Sequence, residues 1–341
     1  CRILLAQKAF SMYSVYPIMR EYLAGSTASG LYEARLGHEH FGGETHVFSP
    51  AYREEEFEQI LQFANHLVFN SPAQLRRYAL RAKAAGKSVG LRINPEHSTQ
   101  EGHAIYDPCA PGSRLGTTLS NFDESLLPLL DGLHFHTLCE QNSDDLEATA
   151  KAFEERFGKY LHQLHWLNFG GGHHITRPDY DIPRLISVIE HFRDRYDVQI
   201  YLEPGEATVY HAGFLVSSVL ETMHNGMEIA ILDTSAACHM PDVLEMPYRP
   251  PLQDGYEAEE KAYTYRLAGP TCLAGDVIGD YSFEEPLKRG DTLTFEDMAI
   301  YTMVKNNTFN GMRLPAIVLE DKDGECRVVR QFGYEDFKMR L

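Results

Sequence analysis

Short apolar, β-rich runs recur along the first 200 residues at a nearly constant interval, and that recurrence restricts the fold more than any single motif. The runs are ILLA (3–6), a weaker one at LAGSTAS (23–29), THVF (45–48), HLVF (66–69), SVGLRI (88–93), GLHFHTL (132–138), HWLNF (165–169) and QIYLE (199–203). The first five begin roughly 21 residues apart. Between them lie helical patterns: REEEFEQILQFA (53–64), SPAQLRRYALRAKAAG (71–86), DDLEATAKAFEERFGKYL (144–161) and PRLISVIEHFRDRY (183–196). In the second of these, Ser71 can cap the start, Pro72 takes the first helical position and Gly86 lies past the end. Eight strands alternating with helices predict an α/β chain whose strands close into a (β/α)8 barrel.

After about residue 210 the texture changes. GFLVSSVLETMHNGMEIAILD (213–233) is two apolar runs joined at Asn225-Gly226, a hairpin signal. AYTYRLAG, DTLTFEDM, PAIVLED and ECRVVRQF follow, β-like and separated by Gly, Asp and Pro. The expectation is a barrel over 1–210 and a mostly β domain over 211–341. The chain opens on Cys1, without Met and directly before a strand, so an N-terminal segment of the natural protein is expected to be missing.

Composition narrows the function classes. No run of about 18 apolar residues occurs, which argues against a transmembrane helix. A formal net charge of −18 disfavours a nucleic-acid surface and permits a cationic ligand. The six cysteines are scattered without a C-x-x-C pair, so neither a zinc site nor a disulfide framework is expected. Reduced thiols, a cytoplasmic location and no metal are the expectation.

In such a barrel the chemistry collects at the C-terminal strand ends. Lys8 follows the first strand, His136 ends the sixth, Gly170-Gly171-Gly172 follow the seventh and Glu203 ends the eighth. Singly, each has an ordinary reading: a solvated lysine, a hydrogen-bonded core histidine, a turn, a loop carboxylate. Together on one barrel face they match pyridoxal 5′-phosphate. Lys8 supplies an amine for its aldehyde, glycine N–H groups hold its phosphate, Glu203 pairs with its ring nitrogen, and His136 is placed to stack on the ring.

With these residues in place, the chain resembles the fold-type III pyridoxal-phosphate enzymes, a barrel followed by a β domain, over essentially its whole length. FHT, GGG, EPGEA, GPTCLAGD (269–276) and DMAIYTMVKNNTFNG (297–311) look like the decarboxylase branch in that order. The resemblance implies that Lys8 carries the Schiff base, that Cys272 reaches into the partner subunit's site in a homodimer, and that Tyr301 contacts the cofactor phosphate. Within the branch, LLAQKAFS, YDPCAPGSRLG (106–116) and LDTSAACHMPDVLEMPYRP (232–250) look most like the members that remove CO2 from carboxylated polyamines, carboxynorspermidine or carboxyspermidine.

Two departures bear on substrate. The branch typically reads EPGR where this chain has Glu206, and a carboxylate would repel a phosphate, so Glu206 is expected to face a cationic substrate. Where ornithine decarboxylases read GPTCD, this chain has Leu273, so the acid for a short diamine is absent from that position. The resemblance further implies that Asp242 joins Glu206 on the substrate's amines, with Asp233 as runner-up. The alternatives are a decarboxylase of diaminopimelate, ornithine or arginine, and a pyridoxal-phosphate-binding homeostasis protein without turnover. Diaminopimelate would need a cation where Glu206 stands, and homeostasis proteins look like a barrel alone. A metal-dependent hydrolase using GGHH (171–174) lacks the i, i+4 spacing and carboxylate partner of a metal site.

Overall fold

The computed structural model describes residues 1–100 and 104–341 and divides into two units, Cys1–Thr208 and Val209–Leu341. In the first, eight parallel strands close a barrel in chain order: β1 (Arg2–Ala6), β2 (Gly25–Ala28), β3 (Glu44–Phe48), β4 (His66–Phe69), β5 (Ser88–Arg92), β6 (Gly132–His134), β7 (Trp166–Asn168) and β8 (Gln199–Leu202), which returns to β1 through Arg2–Tyr201 and Ile3–Leu202. All eight predicted strands are present.

The helices α1 (Leu31–Leu36), α2 (Glu54–Phe63), α3 (Pro72–Ala84), α4 (Ser143–Leu161) and α5 (Ile182–Tyr196) bury one stripe each. In α4 the stripe is Leu146, Ala150, Phe153, Phe157 and Leu161, the spacing of one helical face. Ser71 Oγ accepts from Gln74 N–H at α3, as its position implied. The strand–helix alternation lapses between β5 and β6, where the described residues form only short 3₁₀ turns; Pro95, Pro108, Pro111 and Pro128 interrupt any longer helix there.

The single tryptophan explains two glycines. The Trp166 indole lies across β5 and β6, where a Cβ on Gly90 or Gly132 would come within 2.3 or 2.0 Å of it, and its Nε1 donates to Ser88 Oγ at 2.9 Å. Gly132→Ala therefore overpacks the barrel interior and is expected to destabilise the protein by about 1–3 kcal/mol, read as a lower denaturation midpoint. An unchanged midpoint would mean that the indole moves freely.

The second unit holds a five-stranded sheet ordered β12-β11-β10-β9-β13: β9 (Leu215–His224), β10 (Glu228–Leu232), β11 (Tyr263–Ala268), β12 (Val277–Phe283) and β13 (Thr292–Phe295). β14 (Ile317–Glu320) and β15 (Cys326–Arg330) form a separate pair. The β9–β10 hairpin turns at Asn225-Gly226, with Gly226 at φ +74. β12 is not among the runs read from sequence. Gly279 and Asp280 interrupt its apolar pattern, yet Ile278, Tyr281 and Phe283 are buried and Asp280 pairs with Arg266 of β11.

Candidate active site

Lys8, His136, Gly170 and Glu203 each lie one or two positions past the end of their strand, with Gly171, Gly172 and Glu206 following within four. For Lys8 the local reason is visible. Ala6 N–H and Gln7 N–H extend the barrel rungs to Pro204 O and Thr27 O, and Ala9 N–H turns back to Ala6 O, leaving Lys8 at the bend. Gln7 anchors that bend from below: Nε2 donates to Glu33 O at 2.9 Å, and Tyr16 Oη donates to Gln7 Oε1 at 3.1 Å. The Lys8 side chain is open to solvent, with the barrel walls closed around it. That enclosure lowers its pKa, with the Arg92 guanidinium acting in the same direction and Glu203 opposing both.

Glu203 is buried, and burial alone would raise its carboxyl. It is outweighed by His134, whose Nε2 stands 3.5 Å from Oε2, by His46, and by Asn168 Nδ2, which donates to Oε1 at 2.7 Å; the carboxyl is held down at about 2. Asn168 also accepts from Gly170 N–H through Oδ1 at 2.8 Å, so one side chain ties the glycine loop to the acid.

His136 Nδ1 accepts from Gly171 N–H at 3.1 Å, which leaves Nε2 as the protonated nitrogen of a neutral ring. Burial, then Lys8 and Arg92, push its pKa well below the usual histidine value. Arg92 lies over the Phe48 ring at 4.6 Å and donates to His136 O at 3.0 Å. Burial lowers its pKa to about 10, which still leaves it cationic at neutral pH.

The glycine loop has its N–H groups partly engaged within the protein. Its N–H groups were expected to face a phosphate, but Gly170 gives its hydrogen to Asn168 and Gly171 gives its own to His136. Among the described residues Gly172 N–H alone of the three donates to nothing. The glycines are there for close approach: a Cβ would strike Phe135 O at 2.5 Å from Gly170, Glu203 O at 2.5 Å from Gly171 and Leu138 O at 2.0 Å from Gly172. Their small size lets the β7 exit pack on the β6 exit.

Glu206 follows at the start of a short 3₁₀ turn, partly exposed, with His174 Nε2 at 3.6 Å; among the described residues no Lys or Arg pairs with it.

Two substrate candidates lie in the second unit, each with partners there. Asp242 is not an open carboxylate: Lys305 Nζ lies 2.5 Å from Asp242 Oδ1 and 2.8 Å from Glu245 Oε2, so its charge is committed within its own unit. Asp233 Oδ1 accepts from Ser217 Oγ at 2.7 Å and Ser218 N–H at 2.8 Å, which fastens β10 to β9. Cys272 is exposed on its loop, its N–H donating to Asn310 Oδ1 at 2.9 Å. Behind it, buried Asp276 accepts from Thr271 Oγ1, Ser235 Oγ and Ala237 N–H and fixes the loop's base. Tyr301 has a left-handed backbone, φ +52, which a bulky side chain adopts only when its surroundings impose it.

Arg92, His134 and Asn168 were not singled out from sequence. Their signal was a buried polar residue at the last position of a strand otherwise filled with apolar side chains.

The residues fit pyridoxal phosphate on the chemistry of the donor set: an amine of lowered pKa and a carboxylate held ionised share one barrel mouth with a neutral imidazole. Comparison with known proteins agrees. The family model described as the pyridoxal-dependent decarboxylase C-terminal sheet domain matches residues 12–299. A carboxynorspermidine/carboxyspermidine decarboxylase of Campylobacter jejuni is 44% identical across 99% of this chain and 91% of its own length. A carboxyaminopropylagmatine decarboxylase of Synechocystis is also 44% identical, across 99% of this chain and 88% of its own. The crystal structure of carboxynorspermidine decarboxylase complexed with norspermidine from Campylobacter jejuni superposes with a TM-score of 0.93 at 43% identity, covering 100% of this chain and 92% of that one.

Proposed function

We propose, from the premise that this chain belongs to the pyridoxal-dependent decarboxylases, that it removes CO2 from carboxynorspermidine or carboxyspermidine and releases norspermidine or spermidine. The reading is supported by one observation above the others: of the carboxylates Glu203 and Glu206 at the barrel mouth, only Glu203 is committed. Glu203 is held by Asn168 and His134, whereas Glu206 stands beside His174 without a fixed cation, ready for an ammonium group of the substrate.

When bound, pyridoxal phosphate supplies an electron sink for the pair left on Cα as CO2 departs. Lys8 Nζ would be the amine that holds the cofactor's aldehyde and that the substrate's α-amine would replace. Glu203 would hold a proton on the ring nitrogen, and His136, its Nδ1 fixed by Gly171 N–H, would be the residue placed against the ring face. Gly172 N–H, and Tyr301 by family resemblance, would be the contacts to its phosphate. Cys272 is the candidate to return a proton to Cα in the active site of a second copy, which makes the enzyme a homodimer with shared sites. If so, mixing inactive Lys8→Ala and Cys272→Ala subunits restores activity; no recovery after demonstrated subunit exchange refutes sharing.

The substrate assignment rests on Glu206. A charge-assisted hydrogen bond is worth about 1.5–3 kcal/mol, so Glu206→Gln is expected to lower kcat/KM for a carboxylated polyamine roughly 10- to 150-fold with pyridoxal content unchanged. Equal kcat/KM in the variant would remove Glu206 from substrate binding. The equal identity to the Synechocystis relative favours a second reading, in which the same carboxylate meets the guanidinium of a carboxylated aminopropylagmatine. CO2 release from a panel of both substrates, with ornithine, arginine and diaminopimelate, decides between them. A preference for ornithine or diaminopimelate would overturn both readings.

A further inference from the structure

Two imidazoles and a carboxylate meet inside the barrel, toward the N-terminal ends of its strands and away from the mouth. Glu44 and His46 are two residues apart on β3 and share a face, and His46 stands in register with His66, the first residue of β4. The face points inward: Tyr201 of β8 lies 4.7 Å from the His46 ring and 5.6 Å from the His66 ring, and Trp166 of β7 lies 5.3 Å from His66. The two imidazoles stack at 3.9 Å, and His46 Nε2 is 3.0 Å from Glu44 Oε2. One donor atom from each of the three residues lies within 4.8 Å of the others. The remaining Glu44 oxygen pairs with Arg2.

This is a costly arrangement unless something else is bound. His46 is only 1% exposed, and the Nδ1 atoms of both rings are buried with no protein partner. Ligand distances of about 2.0–2.2 Å to zinc place neighbouring donor atoms roughly 3–3.5 Å apart, and the His46–Glu44 pair already stands at that separation. The two rings are stacked nearly parallel, so joining the same ion requires the His66 ring to turn out of the stack. Two histidines and one carboxylate, with no thiolate and no second acid, suit a transition-metal dication and not calcium or magnesium.

We propose that Glu44, His46 and His66 bind one transition-metal dication of the zinc class, its remaining positions filled by water, and that the ion pins β3 to β4 beneath the catalytic layer. The site is separate from the mouth, where His134, His136 and Glu203 also come within ligand distance of one another. It is also independent of the substrate reading. Sequence spacing gave no sign of it, because the ligands come from two strands about 20 residues apart and meet only through barrel register.

The test uses tag-free, pyridoxal-loaded protein, stripped with a chelator and titrated with Co2+ and then Zn2+. One Co2+ per chain is expected, seen by its visible absorption and displaced by Zn2+, together with a rise in Tm that the chelator reverses. Glu44→Gln and His66→Gln should each weaken binding at least tenfold, while His136→Gln leaves it intact. Metal-free Tm and circular dichroism confirm that each variant is folded, and either variant suffices. Absence of a stoichiometric ion, retention of the ion by both folded variants, or its loss in His136→Gln would each overturn the site.

Discussion

Glu203→Gln is expected to keep its cofactor and lose decarboxylation by about 10²- to 10⁴-fold, because the neutral amide no longer holds a proton on the ring nitrogen. The substitution preserves shape: a glutamine can present its carbonyl oxygen to Asn168 Nδ2, so the tie from the glycine loop to β8 survives. The pH dependence has a definite sign. The Glu203 carboxyl is depressed to about 2, against a pull from burial in the other direction, by His134, His46 and Asn168. Its contribution to stability is complete above the ordinary carboxylate pKa and is lost only as pH falls toward 2. Across the working range it remains ionised, so any acid limb in the pH–rate profile belongs to another group. Parent and variant should therefore differ in kcat by a constant factor from pH 6 to 9, with equal pyridoxal absorbance. A variant of unchanged kcat would place the nitrogen's partner elsewhere.

The residues that were legible in the sequence are those whose position in the chain already states their position in the barrel. Lys8, His136, Gly170 and Glu203 each follow a β-rich run, and in a parallel barrel every such exit opens on the same face. Arg92, His134 and Asn168 carry as much of the electrostatics but sit inside the runs, where a polar residue reads as an imperfection of the strand. The glycine loop has a packing reason that its sequence did not show. Its composition suggested a phosphate cradle, and in addition a Cβ on these residues would strike Phe135 O, Leu138 O or Glu203 O. Asp242 illustrates what local pattern cannot give: its partner Lys305 is 63 residues away, and only the folded second unit shows that its charge is matched. β12 was hidden similarly, because its polar position is satisfied by Arg266 on a neighbouring strand.

The remaining prediction concerns Lys8, which should be the residue that carries the cofactor. Its surroundings favour the role energetically as well as sterically. Enclosure by the barrel and then the Arg92 charge lower the ammonium pKa, so more of the amine is unprotonated and nucleophilic near neutral pH than for a surface lysine. Glu203 works against that shift, and the two groups are thereby coupled within one mouth. Borohydride reduction of the holoenzyme should fix the pyridoxyl group on the peptide containing residue 8. Lys8→Ala should bind the cofactor without that covalent link and lose at least about 10³-fold in kcat, since both attachment and product release pass through Nζ. Lys8→Arg, which keeps a cation but is no nucleophile at this pH, should be equally inactive; that result separates covalent chemistry from charge alone. The competing lysines are poorly placed. Lys83 is paired with Asp131 at 2.7 Å, and Lys87 immediately precedes β5, at the strand end opposite the mouth. Recovery of the label on either of them would end the assignment of Lys8, and with it the reason for the bend that Gln7 and Tyr16 hold in place.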